Sequence, residues 1–308
     1  MMRFLITGAS GLLGLHLALY TAGQGPTTGV VHHNDLIRVP FEVVRADLAQ
    51  PGSAAGLLNH YKPDVVVHCA AMAILDACEK QPGKAQRLNA EVPGELAAAS
   101  AQQRIKLVHI STESVFDGQR GDYKEDDIPN PLGVYSRTKL EAEKLVMQAA
   151  PDAVIARVNF YGWSLTGQRS LGEFFFNNLS SGKRCNGFTD VFFCPLLVSD
   201  LAELIYKMVE KDLKGVYHVL SSESLSKYDF GCRLARQFGL DESLITPISW
   251  RESGLHAQRS PNLRMNTDKL SRDLDEIMPT QAAGLQRFYT QYTQGLPQRI
   301  RLFHRVIA

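Results

Sequence analysis

The chain has little of what a metal centre or a cross-linked scaffold needs. Its 308 residues hold five cysteines, Cys69, Cys78, Cys185, Cys194 and Cys232, an odd and scattered set. They form no CxxC pair and no Cys/His cluster at zinc spacing, so no metal site is expected and a reducing cytoplasm is. No stretch approaches the roughly 20 apolar residues of a membrane span. The run Phe4-Leu5-Ile6 is too short for the apolar part of a secretion signal. An excess of one charge is also lacking: 33 Lys and Arg face 32 Asp and Glu, for a net charge of +1. That balance gives no field to draw nucleic acid and no acidic solvating tail. Repeats, low-complexity tracts and Pro/Gly/Ser linkers are missing too. What remains is an ordinary globular composition, 44% hydrophobic and 21% charged, in a chain long enough to bury a core without staples.

Short apolar runs alternate with helical patterns through the first half. Arg3–Thr7, Thr28–His32, Glu42–Arg45, Asp64–Cys69, Lys106–Ile110 and Ala153–Val158 read as strands. Most are continuous rather than alternating, which suits strands buried on both faces of a parallel sheet. Leu12–Ala22, Gly52–His60, Gly83–Gln103 and Val134–Ala149 read as helices between them. This rhythm predicts a doubly wound parallel α/β sheet with right-handed crossovers. After about Asn159 helical patterns dominate: Leu171–Ser181, Asp200–Glu210, Lys227–Phe238 and Thr280–Gln291, with short strands such as Val216–Val219. The expectation is a nucleotide-binding domain over 1–160 and a smaller, interleaved mixed α/β substrate lobe over 161–308. Segments such as 214–222 are expected to return to the first domain.

The first informative motif is Gly8-x-x-Gly11-x-x-Gly14, with Ser10, Leu12 and Leu13 inside it, between a predicted strand and a predicted helix. Glycine allows a tight turn and close approach of backbone to a pyrophosphate. The following helix offers free N–H groups and a positive dipole end to that anion. A bare βα turn without ligand is the alternative. The second strand ends in His32-His33 with no acid at the ribose position, although Asp35 follows closely. Two histidines suit a 2′-phosphate, so NADP(H) is favoured over NAD(H). Asp47, beside Leu48 after the third strand, is placed to hold the adenine amino group or to act as a turn residue.

Tyr135 and Lys139 stand four residues apart on one predicted helix, hence on one face. A phenol of ordinary pKa about 10 is a poor acid–base group at neutral pH, and a nearby ammonium lowers that pKa. An exposed helix pair is the alternative. The run Leu107 to Gly118 is a buried strand leading into a polar turn, Ser111-Thr112-Glu113-Ser114. Ligands bind at such carboxyl ends in open α/β sheets, and a hydroxyl there is placed to hydrogen-bond a substrate carbonyl that also meets Tyr135.

Taken together, Gly8-x-x-Gly11-x-x-Gly14, Ser111-Thr112-Glu113-Ser114-Val115-Phe116-Asp117-Gly118 and Tyr135-x-x-x-Lys139 resemble an extended short-chain dehydrogenase/reductase. His68-Cys69-Ala70-Ala71, Tyr123–Pro131, Val198–Ala202, Gly215–His218 and Arg259-Ser260-Pro261-Asn262 narrow the likeness to the dTDP-4-dehydrorhamnose reductase branch, over nearly the whole chain. The resemblance implies a Rossmann fold and reduction of a keto group on a sugar or nucleotide-sugar. Thr112 would orient the carbonyl, Tyr135 donate the proton and Lys139 hold the cofactor ribose. It implies cofactor contacts from Cys69, Ala70, Ala71, Asn89 and Phe160, and substrate contacts from Thr112, Glu113, Ser114 and Arg259. A homodimer is also implied. Asn89 is alternatively a backbone bridge, and Ser111 a packing residue. Two departures stand out. Ser114 takes the place of an aromatic residue, and Val191–Leu197 is far more apolar than the polar stretch of the branch. A sugar-nucleotide epimerase, or a non-catalytic regulatory subunit like the methionine adenosyltransferase beta subunit, are the competing readings.

Overall fold

A computed structural model describes residues 1–252 and 260–304. Seven strands form one parallel sheet: Phe4–Thr7 (β1), Thr27–Val31 (β2), Glu42–Arg45 (β3), Val65–His68 (β4), Lys106–Thr112 (β5), Val154–Val158 (β6) and Gly215–Val219 (β7). Their order is β7-β6-β5-β4-β1-β2-β3. Every neighbouring pair is parallel. β1, β4 and β6 are buried along their whole length because both faces are covered. A continuous apolar run is what such a strand requires. From β1 the chain winds one way to β2 and β3 and the other way to β4 through β7. The carboxyl ends of β1 and β4 therefore flank the switch point, where ligands of such sheets bind.

Leu12–Ala22 (α1) and Val198–Glu210 (α2) cover one face of the sheet, with Leu13, Leu17, Leu201 and Ile205 in the shared core. Ser53–Tyr61, Val92–Gln102 and Val134–Ala149 cover the other, packing Leu58, Leu96 and Val146 against Leu5, Val66 and Ile155. In the helix Val134–Ala149 the buried stripe is Lys139, Ala142, Glu143 and Val146. That is the three-and-four spacing of one helix face, and it carries Lys139 inward.

The elements fall within about two residues of the sequence expectation, and two differences bear on the site. The predicted helix Gly83–Gln103 forms as one helical run, Pro82–Gln86 and Val92–Gln102 joined through a π-helical turn at Arg87–Glu91. Pro93 lacks an N–H for the helical ladder, and the wider turn before it absorbs the missing bond. β5 runs two residues past Ile110, so Ser111 and Thr112 pair with β6 and stay in register with the sheet.

Beyond β6 the chain builds a second core around Tyr161, Trp163, Phe175, Phe230 and Phe288. Short strand pairs frame it: Phe160–Tyr161 with Leu196–Leu197, Phe192–Phe193 with Leu225–Ser226, and Cys185–Phe188 with Ile245–Ile248. The run Phe174-Phe175-Phe176 is split, Phe175 buried in this core and Phe174 exposed. No helix among the described residues is long and apolar enough to cross a membrane.

Candidate active site

The glycine turn closes tightly on its neighbours. Gly8 has φ +67°, in the left-handed region, and a Cβ on it would lie 2.8 Å from the Ala70 amide nitrogen. A Cβ on Gly14 would lie 2.2 Å from the Gly8 carbonyl oxygen. Thr7 Oγ1 accepts from the amides of Cys69 (3.1 Å) and Ala70 (3.2 Å), tying the ends of β1 and β4 together. Helix α1 starts at Leu12 after Gly11, with no capping side chain and no acid in its first turn. A turn packed too closely for a Cβ at Gly8 or Gly14, beside an uncapped helix N-terminus, fits the pyrophosphate of a dinucleotide. Ser10 and Leu12 lie half-buried on this turn and Leu13 packs into the core.

At the end of β2 the rings of His32 and His33 lie 3.6 Å apart, tilted at 39°, and both are exposed. His32 Nε2 lies 3.9 Å from Asp47 Oδ1. The Asp47 carboxyl is held below its ordinary range, first by the Ala49 amide and then by Gln50. Asp35 is ion-paired with Arg45, which offsets the one acid close to the ribose position. Leu48 is buried beneath Asp47 in the core.

Successive residues of a strand point to opposite faces, and this separates the two hydroxyls at the end of β5. Ser111 Oγ donates inward to Glu143 Oε1 at 2.5 Å. Thr112 faces a cavity of about 290 Å³. Its Oγ1 is 3.0 Å from Ser114 Oγ, which is 3.0 Å from Ser136 Oγ. Tyr135 lines the same cavity. Burial raises the phenol pKa, the nearby Glu113 raises it further, and a hydrogen bond with Thr112 opposes both. The phenol therefore keeps its proton at neutral pH.

Lys139 departs from its sequence expectation. Its ammonium donates to the Ile110 carbonyl at 2.6 Å and lies 3.0 Å from His109 Nε2. Burial lowers its pKa to about 8, against the charges of Glu143 and Cys69. Lys139 is not among the causes acting on the Tyr135 phenol, whose pKa goes up rather than down. The reason is geometric: the lysine follows the buried stripe of its helix toward β5.

Asn159, directly after β6, and Val191, Phe192, Phe193 and Lys227 of the second lobe close the cavity. Phe160 lines it too, half-buried. Glu113 is buried at its floor and accepts from Asn159 Nδ2 at 2.6 Å. Burial pushes this carboxyl up to about 7. Asn89, in the π-helical turn, bridges backbone: its Oδ1 accepts from the Met72 amide (2.8 Å), and its Nδ2 donates to the Met72 carbonyl (3.1 Å) and Thr138 Oγ1 (3.2 Å). It fastens the loop carrying Ala70 and Ala71 to the tyrosine helix. Arg259 lies outside the described residues, while Ser260 donates to the Phe116 carbonyl at 2.7 Å beside the cavity. Ser136, Asn159 and Lys227 were not anticipated. Ser136 sits inside the Tyr135–Lys139 motif and Asn159 directly follows β6, both positions that open on the site. Lys227 reaches it only through the tertiary fold.

A family model described as RmlD substrate binding domain matches residues 2–294. The chain belongs to this family. It is 29% identical over 295 residues to the probable low-salt glycan biosynthesis reductase Agl14 of Haloferax volcanii, covering 94% of this chain and 98% of that one. It is 34% identical over 276 residues to methionine adenosyltransferase 2 subunit beta of Rattus norvegicus, covering 87% and 81%. Among solved structures, a dTDP-4-dehydrorhamnose reductase of Bacillus anthracis in complex with NADP superposes with a TM-score of 0.81 at 25% identity, covering 94% and 99%. The Haloferax and Bacillus relatives are both named reductases, and the cavity of this chain lies at the carboxyl ends of β5 and β6.

Proposed function

We propose that the protein is an NAD(P)-dependent reductase of a keto group on a nucleotide-linked sugar, with Tyr135 as proton donor. The observation that carries this reading is the meeting of Thr112 and Tyr135 in one cavity at the carboxyl ends of β5 and β6. When bound, the cofactor supplies the hydride. Gly8, Gly11, Gly14 and the first turn of α1 hold its pyrophosphate, and Asp47 faces the adenine. His32 and His33 meet a 2′-phosphate, so NADP(H) is preferred over NAD(H). Lys139 provides a buried cation on the ribose side. Thr112 Oγ1 donates to the substrate carbonyl oxygen and orients it, and the Tyr135 phenol gives that oxygen its proton. A raised phenol pKa keeps the proton in place until the oxygen becomes basic. Phe192 and Phe193 exclude water from the reacting carbon, and Lys227 adds a cation to the wall that would meet a nucleotide diphosphate.

The test is the loss of NADPH absorbance with dTDP-4-dehydrorhamnose and related keto-sugar nucleotides. Turnover is expected, and Tyr135→Phe is expected to lower kcat by about 10²–10⁴-fold while keeping NADPH affinity within a few-fold. A Tyr135→Phe enzyme of full activity refutes the assignment. A second reading has its own support, the 34% identity to methionine adenosyltransferase 2 subunit beta. On that reading the chain binds the dinucleotide and regulates a partner. NADPH binding without turnover of any carbonyl substrate, together with a stable complex with a methionine adenosyltransferase catalytic chain, would favour it.

A further inference from the structure

Behind Lys139 lies a pair of buried histidines that the proposed reaction does not use. His68 and His109 are paired positions on β4 and β5. Their rings stack 5.5 Å apart at 22°, and both side chains are shut off from solvent. Hydrogen-bond bookkeeping assigns their tautomers. Thr7 Oγ1 accepts from two amides, which occupies both its lone pairs, so its hydrogen goes to His68 Nδ1 at 2.7 Å. Burial, helped by the Lys139 charge, pushes His68 down to about 3, so the ring is neutral and carries its proton on Nε2. An ammonium only donates, so His109 Nε2 accepts from Lys139 at 3.0 Å and the His109 proton sits on Nδ1. His68 Nε2 and His109 Nδ1 are both buried without a hydrogen-bond partner. Unmatched donors deep in a core are unfavourable and uncommon. Two of them side by side, behind one buried cation, call for a reason beyond packing.

We infer that His109 is a positioning residue acting through Lys139, a neutral lone-pair acceptor that fixes the ammonium at the end of β5 without cancelling its charge, with His68 stacked behind it as its brace. A carboxylate in the same place would neutralise the lysine, and an aliphatic residue would leave it with the Ile110 carbonyl alone. The same brace holds Thr7, whose oxygen ties Cys69 and Ala70 to the glycine turn. Cation and cofactor cradle are thus referenced to a single buried column. The other groups facing Lys139 are Glu143 from its own helix and Cys69 at the end of β4; those facing His109 are Lys139 and His68. The functional part of this inference rests on Lys139 being the cofactor-side cation of the proposed reaction.

The test reads the lysine directly and needs no turnover. In protein labelled at lysine Cε, the Lys139 signal is identified by its loss in Lys139→Arg and followed by NMR against pH. In the unaltered protein it is expected to titrate near 8. His109→Leu removes the acceptor from a buried charge, so the midpoint is expected to fall by about one pH unit. His109→Gln, whose amide oxygen reaches the same place, is expected to restore it to within about 0.3 pH unit. Should His109→Leu fail to fold, His109→Phe keeps the stacked ring and removes the acceptor equally well. An unmoved midpoint in either apolar variant overturns the inference. With an active enzyme, the apolar variants are further expected to lower kcat about tenfold and to shift its pH profile, with Gln rescuing both. Absence of turnover in the unaltered protein would refute the proposed reaction and leave the lysine titration standing.

Discussion

Replacing Glu113 by glutamine turns one buried group into a measurement of how dry the candidate site is. The carboxyl is buried at the cavity floor, and its pKa rises from 4.5 to about 7, chiefly through burial. Below the ordinary carboxyl range the group is protonated whether the chain is folded or not, and it makes no difference to stability. As pH rises through 4.5 the unfolded chain releases the proton while the folded chain keeps it, so the unfolded state gains and stability falls until about pH 7. At about 1.4 kcal/mol per pH unit, the full loss is about 3 kcal/mol. Glutamine keeps an oxygen for Asn159 Nδ2 and removes the titration. Urea unfolding of both proteins from about pH 4 to about pH 8 should show the variant gaining on the parent by about 3 kcal/mol across that window. A difference that stays constant with pH would refute the reasoning, because it would mean that Glu113 ionises as freely folded as unfolded. The substitution also removes a charge that raises the Tyr135 phenol pKa, so the alkaline limb of kcat should move to lower pH.

Other perturbations test other parts of the account. Gly14→Ala places a methyl 2.2 Å from the Gly8 carbonyl oxygen; it should cost about 1–3 kcal/mol of stability and abolish NADPH binding, read by thermal melts with and without nucleotide. Glu143→Ala strips the buried Arg157 guanidinium of its 2.8 Å carboxylate partner and should destabilise by about 3–5 kcal/mol in urea. Replacing His32 and His33 by alanine should weaken NADPH binding about tenfold with little effect on NADH, by fluorescence titration; equal loss for both nucleotides would place the 2′-phosphate elsewhere.

The first half of the fold was legible in the sequence because the sheet is parallel and buried on both faces. Val65–Val67 and Val154–Ala156 are unbroken apolar runs that fit few other environments. The helix expected over Gly83–Gln103 forms, but the π-helical turn inside it is not legible, because helical periodicity carries on through Pro93 and does not report a missing amide donor. The glycine turn was readable because a strand, three spaced glycines and a helix follow one another without interruption. The destination of Lys139 was not. Spacing of four puts Tyr135 and Lys139 on one helix face, but a lysine is long enough to run along that face, and His109, thirty residues earlier in the chain, decides where its charge stops. Lys227 was invisible for a similar reason: it enters the site from an element whose approach is set by the aromatic core around Trp163 and Phe288, which no local pattern encodes.

The most direct test of the central claim is a crystal structure of the protein with NADP⁺ and dTDP-rhamnose bound together. The account predicts the sugar hydroxyl oxygen within about 2.6–3.2 Å of both Tyr135 Oη and Thr112 Oγ1, with its carbon facing the nicotinamide and the pyrophosphate lying over Gly8 and Gly11. A sugar bound away from Tyr135, or a dinucleotide whose nicotinamide end points out of the cavity lined by Thr112 and Glu113, would contradict it.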